Sequence, residues 1–196
     1  MNTKPIFCLV GPSCSGKTTV WESMKDIQCQ FSTNFTTIVS HTTRDKRCGE
    51  EHGVDYYYVN NEEFDKLDRI EEVEYAGNRY CIAREEIDKK LSTKYSDFLV
   101  VIVDYHGYNQ IRERYGDDNV FFVYFDIPRR IALRRMIMRD KLKGIKRFVH
   151  AIRNDEFNRE DYDILVEPYG EYQRDTALKL YKKMKDVVEY KKQEIA

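Results

Sequence analysis

Gly11-Pro12-Ser13-Cys14-Ser15-Gly16-Lys17-Thr18 is the stretch that decides the fold of this chain. It follows an apolar run, Ile6-Phe7-Cys8-Leu9-Val10, and leads into a segment whose pattern predicts a helix from residue 19 to about 27. Strand, glycine-bounded loop, Lys-Thr and helix is the arrangement of a phosphate-binding loop. Gly11 and Gly16 let the loop wrap tightly, so that the backbone N–H groups of Ser13, Cys14 and Ser15 point inward at a polyphosphate. The helix behind, opening at Thr18 and Thr19, adds unpaired N–H groups and the positive end of its dipole. Lys17 supplies a point charge for the outer phosphates, and Thr18 a hydroxyl for a Mg²⁺ ion that accompanies them. The competing reading is a glycine-bearing turn that caps an ordinary helix with Lys17 solvated; the strand before and the helix after weigh against it.

The composition sets bounds. The chain has 196 residues, enough for one core with a small inserted subdomain. Charged residues make up 34% and apolar ones 41%, with a net charge of −1, as in a soluble globular protein. No global charge suggests a nucleic-acid or membrane partner, so any basic site must be local. The five cysteines, Cys8, Cys14, Cys29, Cys48 and Cys81, include no C-x-x-C pair and no metal spacing. Reduced thiols in a cytoplasmic protein are the expectation. Met1-Asn2-Thr3-Lys4 runs directly into the first strand without a signal-peptide pattern, and no apolar run approaches a membrane span.

Apolar runs alternate with amphipathic ones, which predicts α/β layers around a mainly parallel sheet. The candidate core strands are residues 5–10, 98–103, 120–125 and 163–166, each short and rich in Val, Ile, Leu or Phe. Between the first helix and the strand at 98 the texture changes. Residues 36–40, 55–59, 70–75 and 79–82 read as short strands with partly exposed faces. Asn60 or Asn61 can cap a brief helix to Leu67, and residues 84–91 form another candidate. This section reads as a small, mostly β subdomain inserted into the core. Pro128 suits the first turn of a helix to about Lys141, with Leu133, Met136 and Ile137 as its buried stripe. Gly144 punctuates the chain before a helix from 145 to about 156. The last helix, 174–192, carries Ala177, Leu180, Tyr181, Met184, Val187 and Val188 at helical spacing, which predicts core packing. The boundaries follow: core at 1–35, 95–126 and 157–196, subdomain at 36–94, helical lid at 127–156.

Chemistry concentrates in Ser40-His41-Thr42-Thr43-Arg44-Asp45-Lys46-Arg47-Cys48-Gly49-Glu50-Glu51-His52-Gly53-Val54-Asp55-Tyr56. Two arginines three apart in a glycine-containing loop suit an anionic group, because guanidinium forks bind phosphate oxygens bidentately. Spacing alone leaves a solvated charged loop equally open. With this segment in view, the chain resembles the guanylate kinases, a branch of the nucleoside monophosphate kinases. The run is similar to their S-x-T-T-R-x-x-R-x-G-E-x-x-G-x-D-Y segment, and GPSCSGKTT to their phosphate loop. Glu71 through Asn78-Arg79-Tyr80 resembles their E…G-N-x-Y segment. Val103-Asp104-Tyr105-His106-Gly107 resembles the end of their L-D-I-D-x-Q-G strand and turn. The resemblance spans roughly residues 5–188, with its motifs in family order.

What the resemblance implies is a P-loop three-layer fold with a mixed-β acceptor-binding subdomain and a helical lid. ATP would sit on Gly11, Ser13, Cys14, Ser15, Gly16, Lys17, Thr18 and Thr19, with Mg²⁺ at Thr18. Arg44, Arg47, Tyr56 and Tyr80 would hold the acceptor phosphate, and Ser40, Glu71 and Asp104 would face its base, with position 82 beside them. A carboxylate at 71 suits guanine, whose N1–H and N2–H lie on one edge. Arg135 and Arg139, four apart and so on one helix face, would reach the ATP phosphates together with Arg147. Arg153 competes with Arg147 for the last place. Lys17, Arg135, Arg139 and Arg147 are thus the expected catalytic set, and no general base is needed: a nucleoside monophosphate, with its second pKa near ~6, is largely dianionic at neutral pH.

Two departures stand out. Where the family has Y-G-T or Y-G-S, this chain has Tyr80-Cys81-Ile82, so the hydroxyl that would meet guanine O6 is absent. An unpaired base acceptor costs about 1–3 kcal/mol. The first acid of D-I-D is Ile102, leaving Asp104 alone. The expected activity is transfer of the γ-phosphoryl of ATP to GMP or dGMP. A kinase with another acceptor, such as a modified nucleotide or a ribose bisphosphate, and a non-catalytic binding module remain the alternatives. Nothing in the charge or apolar pattern demands a partner chain, so a monomer is expected and the oligomeric state stays open.

Overall fold

The computed structural model describes residues 4–30, 33–75, 77–153, 156–157, 159–170 and 172–194. In chain order the elements are β1 (Ile6–Val10), α1 (Lys17–Ile27), a 3₁₀ turn (Gln28–Gln30), β2 (Phe35–Thr37), β3 (His41–Thr42), β4 (Tyr57–Tyr58), α2 (Asn61–Asp65), β5 (Arg69–Tyr75) and β6 (Asn78–Ala83). They continue with α3 (Arg84–Ser92), β7 (Phe98–Ile102), α4 (Tyr105–Tyr115), β8 (Val120–Phe125), α5 (Arg129–Asp140), α6 (Leu142–Arg153), β9 (Ile164–Val166) and α7 (Gln173–Glu194).

The core strands form one parallel sheet in the order β2-β7-β1-β8-β9. Alternation along β1 sorts the core into two layers, as the period of a strand requires. Phe7 and Leu9 point to one face, where Trp21, Met24, Phe98, Phe125, Leu180, Tyr181 and Met184 pack under α1 and α7. Ile6, Cys8 and Val10 point to the other, with Ile38, Ile82, Val101, Val103, Tyr108, Ile111 and Phe122 under α4. Helix, sheet and helix make the three layers. The central strand β1 lies between β7 and β8, so its carboxyl end is a topological switch point, where open α/β sheets bind ligands.

The second sheet, β4-β3-β6-β5, is mixed, with β3–β4 parallel and β3–β6 and β5–β6 antiparallel. The lid helices close over a third small cluster of Ile127, Ala132, Met136, Ala151 and Phe157.

Five expectations are corrected. The strand expected at 36–40 begins at Phe35 and belongs to the core sheet: Phe35 pairs with Phe98 and stacks on its ring at 5.3 Å, and Ile38 N–H donates to Val100 O. The strand expected at 55–59 shrinks to Tyr57–Tyr58, because residues 53–55 are taken up in a turn with Gly53 at φ 81°. Gly144 does not punctuate the chain but lies inside α6, where a Cβ would stand 2.2 Å from Met136 O; only glycine lets α6 approach α5 so closely. The buried stripe of α5 is Ala132 and Met136, with Ile137 turned outward, since the small Ala132 faces the cluster that α6 also covers. Pro128 stands at the N-cap, one residue before the helix. Helix α4 was not anticipated. Asp104 caps it by accepting from Gly107 N–H at 2.8 Å, and Gly116, at φ 88°, ends it.

Candidate active site

The phosphate loop follows β1. Gly11 has no room for a side chain: a Cβ would stand 2.7 Å from Phe125 O, at the end of the neighbouring strand. Cys14 adopts φ 63°, a left-handed conformation uncommon for a residue with a Cβ. The Lys17 ammonium curls over the loop and donates to Gly11 O at 2.6 Å, Pro12 O at 3.1 Å and Ser15 Oγ at 3.3 Å. Burial lowers its pKa to about 8, while the Glu156 carboxylate pulls the other way.

A cleft of about 470 Å³ opens on this loop, lined by Ser13 through Val20 together with Arg135, Arg139, Pro168 and Gln173. It gathers every residue expected at ATP except Gly11, which lies beneath. The lid reaches it through hydrogen bonds. Arg139 Nη2 donates to Ser13 Oγ at 3.1 Å, and Arg135 donates to Cys14 O at 3.3 Å and Pro168 O at 3.5 Å. Asp140, which sequence reasoning passed over, ties the lid cations together: it accepts from Arg147 at 2.6 Å and from Arg139 at 3.1 Å. Arg147 therefore joins the arginine group, and Arg153 lies exposed on the last turn of α6.

The acceptor-phosphate candidates gather on the second sheet. Arg44 grips Glu50 with one nitrogen at 2.8 and 2.9 Å from the two carboxylate oxygens. Its guanidinium lies 5.5 Å from the Tyr56 ring and 5.7 Å from the Tyr58 ring. Tyr56 meets Tyr80 edge-on at 5.9 Å, and Glu50 also accepts from Tyr58 Oη and from Arg47 N–H, both at 2.8 Å. These donors hold the Glu50 carboxyl down at about 2, with the Arg44 side-chain hydrogen bond the largest cause. Glu50 and Tyr58 were missed as positioning residues, although the Gly49-Glu50 step was in view. The Arg47 side chain is exposed at the rim.

On the base side, Glu71 and Asp104 meet at Gly107. A Cβ on Gly107 would stand 2.6 Å from Glu71 Cδ, so the buried carboxylate lies directly on the glycine. Burial, and then the Asp104 carboxylate beside it, push the Glu71 pKa up to about 8, against the Asp104 N–H that donates to it. Ile82 pairs with Glu71 across β5–β6 but is 1% exposed, inside the apolar layer with Ile38 and Val103. Position 82 is therefore corrected: its side chain fills core.

A second cleft, of about 250 Å³, is lined by Thr18, Trp21, Glu22 and Lys25 of α1 together with Ser40, Asp55, Tyr56 and Ile102; of the acceptor candidates Ser40 and Tyr56 line it, while Arg44, Arg47, Tyr80, Glu71 and Asp104 do not. Thr18 lines both clefts. Its exposed hydroxyl fits a Mg²⁺ ion that takes most of its ligands from phosphate and water. Among the described residues no group of three His, Cys, Asp or Glu could hold a metal alone.

A five-stranded parallel sheet with a glycine loop on its central strand, arginines from a lid above the loop and an inserted β subdomain beside it defines a P-loop α/β protein. The chain belongs to the guanylate kinase family, whose model matches residues 2–190. A guanylate kinase of Streptomyces kasugaensis is 36% identical over 119 residues, which are 59% of this chain and 55% of that protein. One of Escherichia coli O157:H7 is 33% identical over 169 residues, covering 82% of this chain and 78% of that protein. The crystal structure of guanylate kinase from Anaplasma phagocytophilum shares the fold, with a TM-score of 0.61 at 23% identity over 94% of this chain and 86% of that one. No helix among the described residues is long and apolar enough to cross a membrane.

Proposed function

We propose that this chain is an ATP-dependent guanylate kinase, transferring the γ-phosphoryl group of ATP to GMP or dGMP. The observation that carries the reading is Thr18 on the border of two clefts, one lined by the phosphate loop and the lid arginines, the other by Ser40 and Tyr56. A phosphoryl group that leaves one nucleotide at that border lies beside the other.

The residues divide the work. Loop N–H groups and Lys17 bind the ATP phosphates. Arg135, Arg139 and Arg147 neutralise the charge that spreads over the transferring group. Thr18 would hold Mg²⁺ through its hydroxyl, and the ion would supply neutralisation of the phosphate charge. Arg44, held by Glu50, and Tyr56, Tyr80 and Arg47 hold the acceptor phosphate in line. Glu71, on giving up the proton that its raised pKa holds at neutral pH, accepts from N1–H and N2–H of guanine, with Ser40 and Asp104 beside it. A monomer in the cytoplasm completes the reading.

The test is ADP release from ATP and Mg²⁺ across GMP, dGMP, AMP, dAMP, UMP, dUMP, dTMP, CMP, dCMP and ribose 1,5-bisphosphate, with Lys17→Ala as the blank. Turnover confined to GMP and dGMP is expected. Turnover with a different acceptor would move the base assignment, and failure to bind ATP at all would favour a non-catalytic module.

A further inference from the structure

Helix α6 carries a surface that phosphoryl transfer does not use. Leu142, Ile145, Val149 and Ile152 are 80%, 44%, 40% and 43% exposed. Their spacing of three, four and three residues places them in one stripe along the helix. Each is followed at once by a basic residue: Lys143, Lys146, His150 and Arg153, all exposed, form a second stripe alongside. The helix meets its own protein through a third side, where Gly144 and Ala151 are buried and Phe148 packs edge-on to Phe157 at 5.8 Å. Both outward stripes are thus left on the surface.

The charge is as lopsided as the helix. Residues 127–156 hold ten Lys and Arg against three Asp and Glu, so the segment is +7 and the remainder of the chain −8, within a net charge of −1. Arg135, Arg139 and Arg147 serve the cleft and Asp140. The other seven cations exceed what the triphosphate site described above employs.

We infer that the outer face of α6 is a docking surface for an anionic lipid interface, with the aliphatic stripe set into the headgroup boundary and the basic stripe against the lipid phosphates. The inference is independent of the kinase reading. Adjacent aliphatic and Lys/Arg stripes on one helix are what an interfacial helix requires. Anionic lipid offers the complement of both, a sheet of negative charge over an apolar interior. A second copy docking α6 on α6 would bring the two basic stripes together. Nucleic acid would use the basic stripe alone, and the one aromatic ring of α6 is engaged with Phe157.

The experiment is co-sedimentation of the full chain with vesicles of phosphatidylcholine alone and of phosphatidylcholine with one quarter phosphatidylserine, at physiological ionic strength. Two paired variants accompany it, Leu142→Gln with Val149→Gln, and Lys143→Glu with Lys146→Glu. Thermal melting serves as the folding control. The expected result is at least tenfold stronger partition into the anionic vesicles, reduced at least fivefold by each pair while the melting temperature stays unchanged. Absence of partition, partition that the glutamine pair does not weaken, or tighter retention on polyglutamate than on the anionic vesicles would each overturn the inference. So would loss of a concentration-dependent dimer, or of thermal stability, in the glutamine pair without lipid, because the stripe would then be covered by this protein itself.

Discussion

Replacing Gly107 by alanine places a methyl group where the base-side carboxylate now lies. The new Cβ would stand 2.6 Å from Glu71 Cδ and 2.8 and 2.9 Å from its oxygens, well inside contact distance. Glu71 is 9% exposed and takes a hydrogen bond from the Asp104 N–H, so it has little freedom to slide. If the carboxylate stays, α4 must shift, and overpacking of this kind costs about 1–3 kcal/mol. In a chain of this size that lowers Tm by roughly 2–12 °C. If the carboxylate swings aside, it leaves the guanine edge. Hydrogen bonds to a charged group are worth about 1.5–3 kcal/mol, a rise of roughly ten- to a hundredfold in KM for GMP. The KM for ATP should hold within about twofold, since the atoms nearest the new methyl group all belong to Glu71. Steady-state rates with each substrate varied, together with a melting curve, read out both branches. Glu71→Asp withdraws the carboxylate by one methylene and should recover part of the lost stability in the double variant. A Gly107→Ala protein with the native Tm and the native KM for GMP would refute both the packing and the base assignment.

Glu71 also sets a pH dependence. Its folded-state pKa, about 8, lies above the unfolded value of 4.5, so the stability it contributes is complete below pH 4.5 and is lost as pH rises through about 8. Glu71→Gln removes the charge that burial penalises; its urea midpoint should exceed the native one progressively from pH 5 to about pH 8 and level off above, with GMP turnover lost, and a constant difference from pH 5 to pH 8 would contradict this. Glu50→Gln should weaken the fork that aims Arg44 and raise the KM for GMP by about tenfold, the worth of one charge-assisted hydrogen bond. A fall in that KM would mean that Glu50 competes with the acceptor phosphate instead of preparing its site.

The parts legible in the sequence are those fixed by neighbours along the chain. The phosphate loop needs glycines at set offsets from Lys17, and Asn60 caps α2 through Glu63 N–H, three residues on. Arg44 and Arg47 come from one segment and meet the same Glu50. What the sequence hid depends on distances between remote residues. Gly144 reads as a break until α5 is laid across it, and Gly107 reads as a turn until it is found in α4 with Glu71 of β5 against it. Phe35 reads as a loop residue until Phe98 stacks on it. Asp140 and Glu50 look like surface acids among many, and only their arginine partners show their part in the site.

Position 82 separates the two kinds of reasoning most sharply. Aligned with the family motif, Ile82 marks a lost hydroxyl, and restoring it with Ile82→Ser should tighten GMP. The structure argues the reverse. Ile82 is 1% exposed and packs with Ile38, Ile87 and Val103, so the variant leaves a cavity and sinks a hydroxyl in an apolar layer. Large-to-small replacement at such a site costs about 2–4 kcal/mol, and the hydroxyl adds the cost of an unmet donor. The expected outcome is a clear drop in Tm with no fall in the KM for GMP. The burden of guanine O6 then rests on Ser40, which lines the second cleft. Ser40→Ala should raise the KM for GMP about tenfold, the worth of that hydrogen bond. An Ile82→Ser protein that binds GMP more tightly than the native chain would return position 82 to the base site and remove Ser40 from this role.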